Sequence, residues 1–201
     1  MALTNAYCTL ADVKAALRIT DTIDDALIEN SINSASRMID QYCNRYFYST
    51  AAGEVRYYQA NDGFTCWIDD AQSISDIKTS STDPLIFDTT WEVGDYQLQP
   101  NNNKANGAYS PYTLITATDN YLFPVWAEIA LVQVTGQFGW ASVPEPIKFA
   151  TIIQASRLFK RLESPLGVAG VSDMGIMRVG SNMDGDVAQL CNPYRLLRTG
   201  A

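Results

Sequence analysis

A chain of 201 residues suffices for one ordinary domain, or for a small helical core carrying an insertion, and leaves no room for a second full-sized domain. Its hydrophobic share of 47% is that of a chain with a sizeable core and excludes general disorder. The absence of histidine removes any Ser-His-Asp triad, and a formal charge of −8 argues against a surface that grips phosphates.

The first structured stretch is "TLADVKAALRI". Thr9 can cap a helix and Asp12, three residues on, can answer it, so a short helix is predicted over 10–17. A second follows in "TIDDALIENSINSASRMIDQYCNRYF", predicted over 23–43 with Thr22 as cap and Asp24 and Asp25 in the first turn. Ile28, Ile32, Ala35, Ile39 and Tyr42 recur at spacings of four and three and therefore share one helix face.

From 44 to 136 the pattern changes to short β-like runs separated by turn chemistry such as "NDG", "STDP" and "QPNNNKANG". The runs are "EVRYYQ", "FTCWID", "ISDIKTS", "TWEVGDYQLQ", "YTLITAT" and "IALVQVTGQFG". In the second, Phe64, Cys66 and Ile68 fall on one side and Thr65 and Trp67 on the other. An inserted antiparallel β subdomain of five to seven strands is predicted.

Helix chemistry resumes in "SVPEPIKFATIIQASRLFKRLES", where Pro144 and Pro146 suit a first turn. Glu145 favours the positive helix end, and Lys160 and Arg161 the negative one. Phe149, Ile152, Ile153, Ser156 and Phe159 define one face, while Ile147, Leu158 and Leu162 lie elsewhere, so the apolar surface is wider than one stripe and implies more than one neighbour. The glycine-punctuated remainder, 164–201, offers one short strand in "GIMRVG", a turn of helix after Asp186, and a terminal "NPYRLLR".

The four cysteines, Cys8, Cys43, Cys66 and Cys191, show no CxxC pairing and are read as reduced thiols, with no zinc or redox motif. No apolar run approaches the roughly 20 residues of a membrane span, and "MALTNAYCTLADVK" lacks a basic segment followed by an apolar one. A soluble, unsecreted protein is expected. Residues 1–136 carry seven Lys and Arg against 17 Asp and Glu, and 137–201 carry seven against five, so opposite ends of neighbouring copies could attract.

"YCTLADVKAALRI", "DDALIENSINSASRMIDQYCNRYF", "GQFGWASVPEPIKFATIIQASRLFKRLESPLGVAG" and the terminal "NPYRLL" together resemble the head–tail connector, or adaptor, proteins of tailed bacteriophages and gene transfer agents. The likeness is to the longer subgroup with a β insertion between the second and third helices. Its most specific part is the order Gly139-Trp140, Val143-Pro144, then a helix ending "RLFKRLESPLGVAG". The resemblance implies a virion neck protein made in the host bacterial cytoplasm. It implies a dodecameric homo-oligomeric ring under the portal protein, with a tail-completion or stopper protein as a further partner. DNA would pass through the channel without sequence-specific binding, no membrane would be involved, and neither cofactor nor catalytic residue carries over.

Simpler readings stand beside these. Arg157, Lys160 and Arg161 could meet an acidic neighbour or could be a solvated basic helix end. Asp69-Asp70 and Asp24-Asp25 read as turn and first-turn residues rather than acid catalysts or metal ligands, and "NMDGDVAQL" lacks the downstream Glu of a calcium loop. Trp67, Trp91, Trp126 and Trp140 could line a carbohydrate-binding face, but ordinary packing and cross-strand pairing explain them as well.

The expected fold class is α+β: a small core of three main helices, an inserted antiparallel β subdomain and an extended C-terminal arm. The predicted divisions are 1–43 and 137–163 for the ring body, 44–136 for the β subdomain and 164–201 for a docking arm. The candidate subunit or portal interface is Phe149, Ile152, Arg157, Phe159, Lys160 and Arg161 on the third helix, with Val168, Val171, Ile176, Met177, Val179 and Tyr194 in the arm. The alternatives are a standalone β-type module that binds carbohydrate or a cell surface, and a small carboxylate-based hydrolase, which nothing in the sequence favours.

Overall fold

A computed structural model describes residues 2–83, 86–103, 109–118, 120–163, 168–172, 175–178 and 183–196, the two short segments 168–172 and 175–178 as backbone. Helices and an antiparallel sheet make an α+β chain, as the sequence patterns predict. It divides into a helical unit, residues 1–48 with 143–201, and a β unit, residues 49–142.

In the helical unit, α1 (Leu10–Leu17) begins with the predicted reciprocal cap: the Asp12 amide donates to Thr9 Oγ1 at 3.1 Å and the Thr9 amide to Asp12 Oδ2 at 2.9 Å. Helix α2 (Asp25–Cys43) starts two residues later than expected. Asp24, not Thr22, holds the cap position, and its side chain makes no capping bond. The start is fixed from outside instead, by Lys14 Nζ at 2.5 Å from Asp25 Oδ1. Ile28, Ile32, Ala35 and Ile39 of α2 are fully buried, as the four-and-three spacing predicts, but Cys43 rather than Tyr42 completes the buried face, Tyr42 being only half-buried with its hydroxyl on Asn192.

Helix α3 (Glu145–Glu163) packs against both α1 and α2, and its inward face differs from the predicted one. Ile147, Ala150, Thr151, Gln154, Ala155 and Phe159 are buried, whereas Phe149 is 57% exposed. The sequence reading centred the face on the bulkiest side chains. The small residues Ala150 and Ala155 let α3 approach its neighbours closely, and the buried stripe runs along them. Thr151 keeps its hydroxyl satisfied in this dry setting by donating to the Ile147 carbonyl at 2.8 Å.

The chain after α3 does not run out entirely as an arm. Strands β7 (Val168–Ser172) and β8 (Gly175–Arg178) pair antiparallel, where a single strand was predicted. Helix α4 (Gly185–Cys191) and a 3₁₀ turn (Asn192–Tyr194) then return to the unit's own helices, with α4 packed against α2 and α3. Val187 and Cys191 are fully buried there. This corrects the expectation of an extended arm over the whole of 164–201, because a seven-residue helix with a buried face is stable only where that face is covered.

In the β unit, β1 (Glu54–Tyr58), β2 (Thr65–Thr79), β4 (Tyr96–Gln99), β5 (Tyr112–Ala117) and β6 (Val132–Phe138) form a sheet in the order β1-β6-β2-β5-β4. The two-residue β3 (Thr89–Thr90) joins the end of β2. The runs "FTCWID" and "ISDIKTS" are one strand, not two: β2 pairs β5 through its first part and β6 through its second, with register shifts that bend it between. Asp69 and Asp70 therefore lie within a strand, correcting their reading as turn residues. Asp69 accepts from Arg56 Nη1 at 2.9 Å, and Asp70 accepts from Trp140 Nε1 at 3.0 Å.

Cys66 and Ile68 point into a core with Ile77, Ile115, Val132, Val134 and Phe138, and Trp67 faces out, as alternation predicts. Phe64, just before the strand, is 49% exposed and not part of the inward set. The β unit holds three Lys and Arg against eleven Asp and Glu, and the helical unit eleven of each, so the whole formal charge of −8 resides on the β unit.

Gly136 of β6 lies against the bend in β2, where an added Cβ would meet the Ser73 carbonyl oxygen and come within 3.3 Å of Ile74 Cα. Both are backbone and cannot swing away. Gly136→Ala is expected to cost about 1–3 kcal/mol of stability, measured by urea unfolding.

Candidate interface of the helical unit

The residues nominated from sequence fall into three groups. Phe159 belongs to the unit's own core, with Val13, Ile28, Ile32 and Ala155, and Ile152 packs half-buried against the same cluster. Phe149 instead lies on the outer flank of α3, on the strip that continues through Ile153 and Ser156 to exposed Lys160. Arg161 and Leu162 are also exposed at the helix end.

Arg157 does not project freely, since its Nη1 lies 3.0 Å from Asp184 Oδ2, the cap residue of α4. The same Asp184 accepts from the Asp186 amide at 3.0 Å, so one carboxylate both starts α4 and ties it to α3. Val168, Val171, Ile176 and Met177 are placed in the β7–β8 hairpin by their backbone, with Val171 paired to Ile176. Val179 lies outside the described residues.

Tyr194 marks an arrangement the sequence reading missed. Its ring packs edge-on against Phe47, with centroids 5.9 Å apart, and its carbonyl accepts from Arg45 Nη1 at 3.2 Å. Tyr42 donates to Asn192 Oδ1 at 2.7 Å, Arg195 lies over the Tyr42 ring, and the Leu196 amide donates to the Cys43 carbonyl at 2.8 Å. Residues 192–196 thus seal the C-terminal end of α2. The clue available in sequence was the density of aromatic and arginine residues in both "QYCNRYF" and "NPYRLLR".

Phe47 is gripped from its other side by Tyr7, at 5.6 Å and nearly perpendicular. The Tyr7 hydroxyl accepts from the Phe47 amide at 2.9 Å and donates to buried Asp40, whose other oxygen lies 2.8 Å from Arg37 Nε. Burial raises the Asp40 carboxyl to about 6, against the opposing pull of Tyr7 and Arg37. Beside this network is an open groove of about 460 Å³ lined by Arg37, Asp40, Gln41, Asn44, Arg45 and Tyr46. Among the described residues no group of three or more Cys, Asp or Glu is placed to hold a metal.

Of the four tryptophans, Trp91 and Trp140 are buried, each through an indole hydrogen bond: Trp91 to Thr79 and Trp140 to Asp70. Trp67 and Trp126 are about half-exposed. Gly139, at φ 87°, donates its amide to the Asp70 carbonyl, so the Gly139-Trp140 pair locks the end of β6 onto β2.

Because a raised carboxyl favours the protonated form in the folded state, the contribution of Asp40 is full below its unfolded value near 4. It is lost as pH rises through about 6. Asp40→Asn, which keeps an acceptor for Tyr7, is expected to gain stability relative to the unsubstituted protein as pH goes from about 4 to 7, followed by thermal unfolding at each pH.

The family model described as phage gp6-like head-tail connector protein matches residues 7–80, which span both first helices and extend through β1 and β2. No curated protein matches the chain. Among solved structures, the neck of an empty gene transfer agent particle computed with C6 symmetry is similar at a TM-score of 0.60 and 16% identity, covering 99% of this chain and 94% of that one. The neck of a native particle computed with C12 symmetry is similar at 0.58, with the same identity and coverage. The resemblance to head–tail connector proteins read from the two ends of the sequence thus stands on a family model over residues 7–80 and on a shared fold along nearly the whole chain.

Proposed function

We propose that this chain is a structural head–tail connector of a tailed phage or phage-like particle. In this reading its copies form a ring, of twelve subunits if the C12 neck is followed, below the portal and above a tail-completion or stopper protein. The ring lines the DNA exit channel and acts without catalysis. The observation that carries the reading is the connector-family match over 7–80, and the neck-like fold over 99% of the chain supports it.

Two physical features fit. The outer strip of α3 leaves Phe149 exposed in the single chain, and covering such a side chain contributes roughly 1.5–3 kcal/mol per contact, repeated around a closed ring. The charge separation fits as well: a β unit with eleven Asp and Glu against three Lys and Arg repels phosphate overall, so a nucleic acid polymer can slide past it.

Phe149 is the informative position for assembly, since Phe159 is buried and its replacement would unfold the helical unit. Phe149→Asp is expected to leave the free chain's stability within about 0.5 kcal/mol and to abolish ring formation, scored by electron microscopy of particle necks. Rings of normal size from this variant would overturn the assignment of the α3 strip as the subunit contact. Absence of the unsubstituted chain from purified necks would overturn the connector role itself.

A further inference from the structure

Cys43 ends α2 and Cys191 ends α4, 148 residues apart in sequence, and both are fully buried. Cys43 Sγ lies 3.8 Å from the Cys191 carbonyl oxygen, which sets the Cys43 thiol against the residue that carries the second thiol. The surrounding bonds hold the two helix ends in register: Leu196 to Cys43, Tyr42 to Asn192, and Arg45 to the Tyr194 carbonyl. Cys66 lies in the β unit, and Cys8 packs beside Val13 and Ile28 in the helical core. Burial pushes the thiol of each up to about 12.

We propose that Cys43 and Cys191 form an intrachain disulfide under oxidising conditions, fastening the C-terminal helix to the end of α2. With the Cys43 sulfur already against Cys191, opening and redocking of α4 can bring the two sulfurs to the bonding distance of about 2.05 Å. The oxidant is a low-molecular-weight disulfide such as oxidised glutathione. As α4 opens transiently, the thiolate of one cysteine attacks a glutathione sulfur, forming a mixed disulfide and releasing one glutathione thiolate. Redocking brings the second cysteine, as thiolate, onto the protein sulfur of that mixed disulfide, and the second glutathione thiolate leaves. Two protein thiols are oxidised, one glutathione disulfide is reduced to two glutathiones, and the two protons pass to the departing thiolates.

The bond would be absent in a reducing cytosol and would form after transfer to oxidising surroundings. It would convert a helix end held by reversible contacts into one that cannot exchange partners. The inference stands on the packing of the helical unit and is independent of the connector reading.

The test treats the full-length protein with excess oxidised glutathione and analyses it by non-reducing peptide mass spectrometry and hydrogen exchange. The expected product links the peptide of Cys43 to that of Cys191, carries no retained glutathione, and reverts with dithiothreitol. The amides of 187–191 are then expected to exchange roughly tenfold more slowly than in the reduced protein. Cys43→Ala and Cys191→Ala should each leave a stable glutathione adduct on the remaining partner, whereas a protein lacking Cys8 and Cys66 should crosslink as before. The proposal is overturned by a main product linked through Cys8 or Cys66, or by stable adducts on both Cys43 and Cys191. It is equally overturned if no bond forms while exchange shows that α4 opens, or if the crosslink leaves α4 exchange unchanged.

Discussion

The helical unit depends on the burial of one ring. Phe47 lies fully buried just past the end of α2, between Tyr7 from the N-terminal strap and Tyr194 from the C-terminal turn. Three segments distant in sequence therefore share one apolar contact, and each also donates or accepts a hydrogen bond beside it. Removing the ring would release both chain ends together, because neither the strap nor a seven-residue helix buries enough surface to hold itself. The network of Tyr7, Asp40 and Arg37 adds direction to this contact, since a buried carboxylate tolerates few arrangements of its partners.

The β unit solves a different problem. A long strand with polar residues at its centre is bent so that it serves two partners, and the acidic pair at the bend is answered by Arg56 on one side and Trp140 on the other. Concentrating the formal charge there leaves the helical unit neutral overall. The separation of roles suits a part built into a larger assembly.

Elements governed by local chemistry were legible in the sequence. The cap of α1 follows from Thr9 and Asp12 alone, and the buried face of α2 from spacing alone. What failed depended on contacts with residues far along the chain. The start of α2 is set by Lys14, the inner face of α3 by close approach along Ala150 and Ala155, and the continuity of β2 by partners for Asp69 and Asp70. Of the residues nominated as an interface, Phe149 is exposed, whereas Phe159 and part of the supposed arm pack within the chain's own helical unit. A hydrophobic side chain in sequence announces that it will be covered, without saying by which polypeptide.

The central claim is that this chain forms a neck ring through its helical unit. Electron cryomicroscopy of intact particles tests it most directly. The account predicts a closed ring of this chain beside the portal, with Phe149 covered by a neighbouring copy and Tyr194 still seated on Phe47 of its own chain. A neck without this chain, or a ring in which the outer strip of α3 faces solvent, would contradict it.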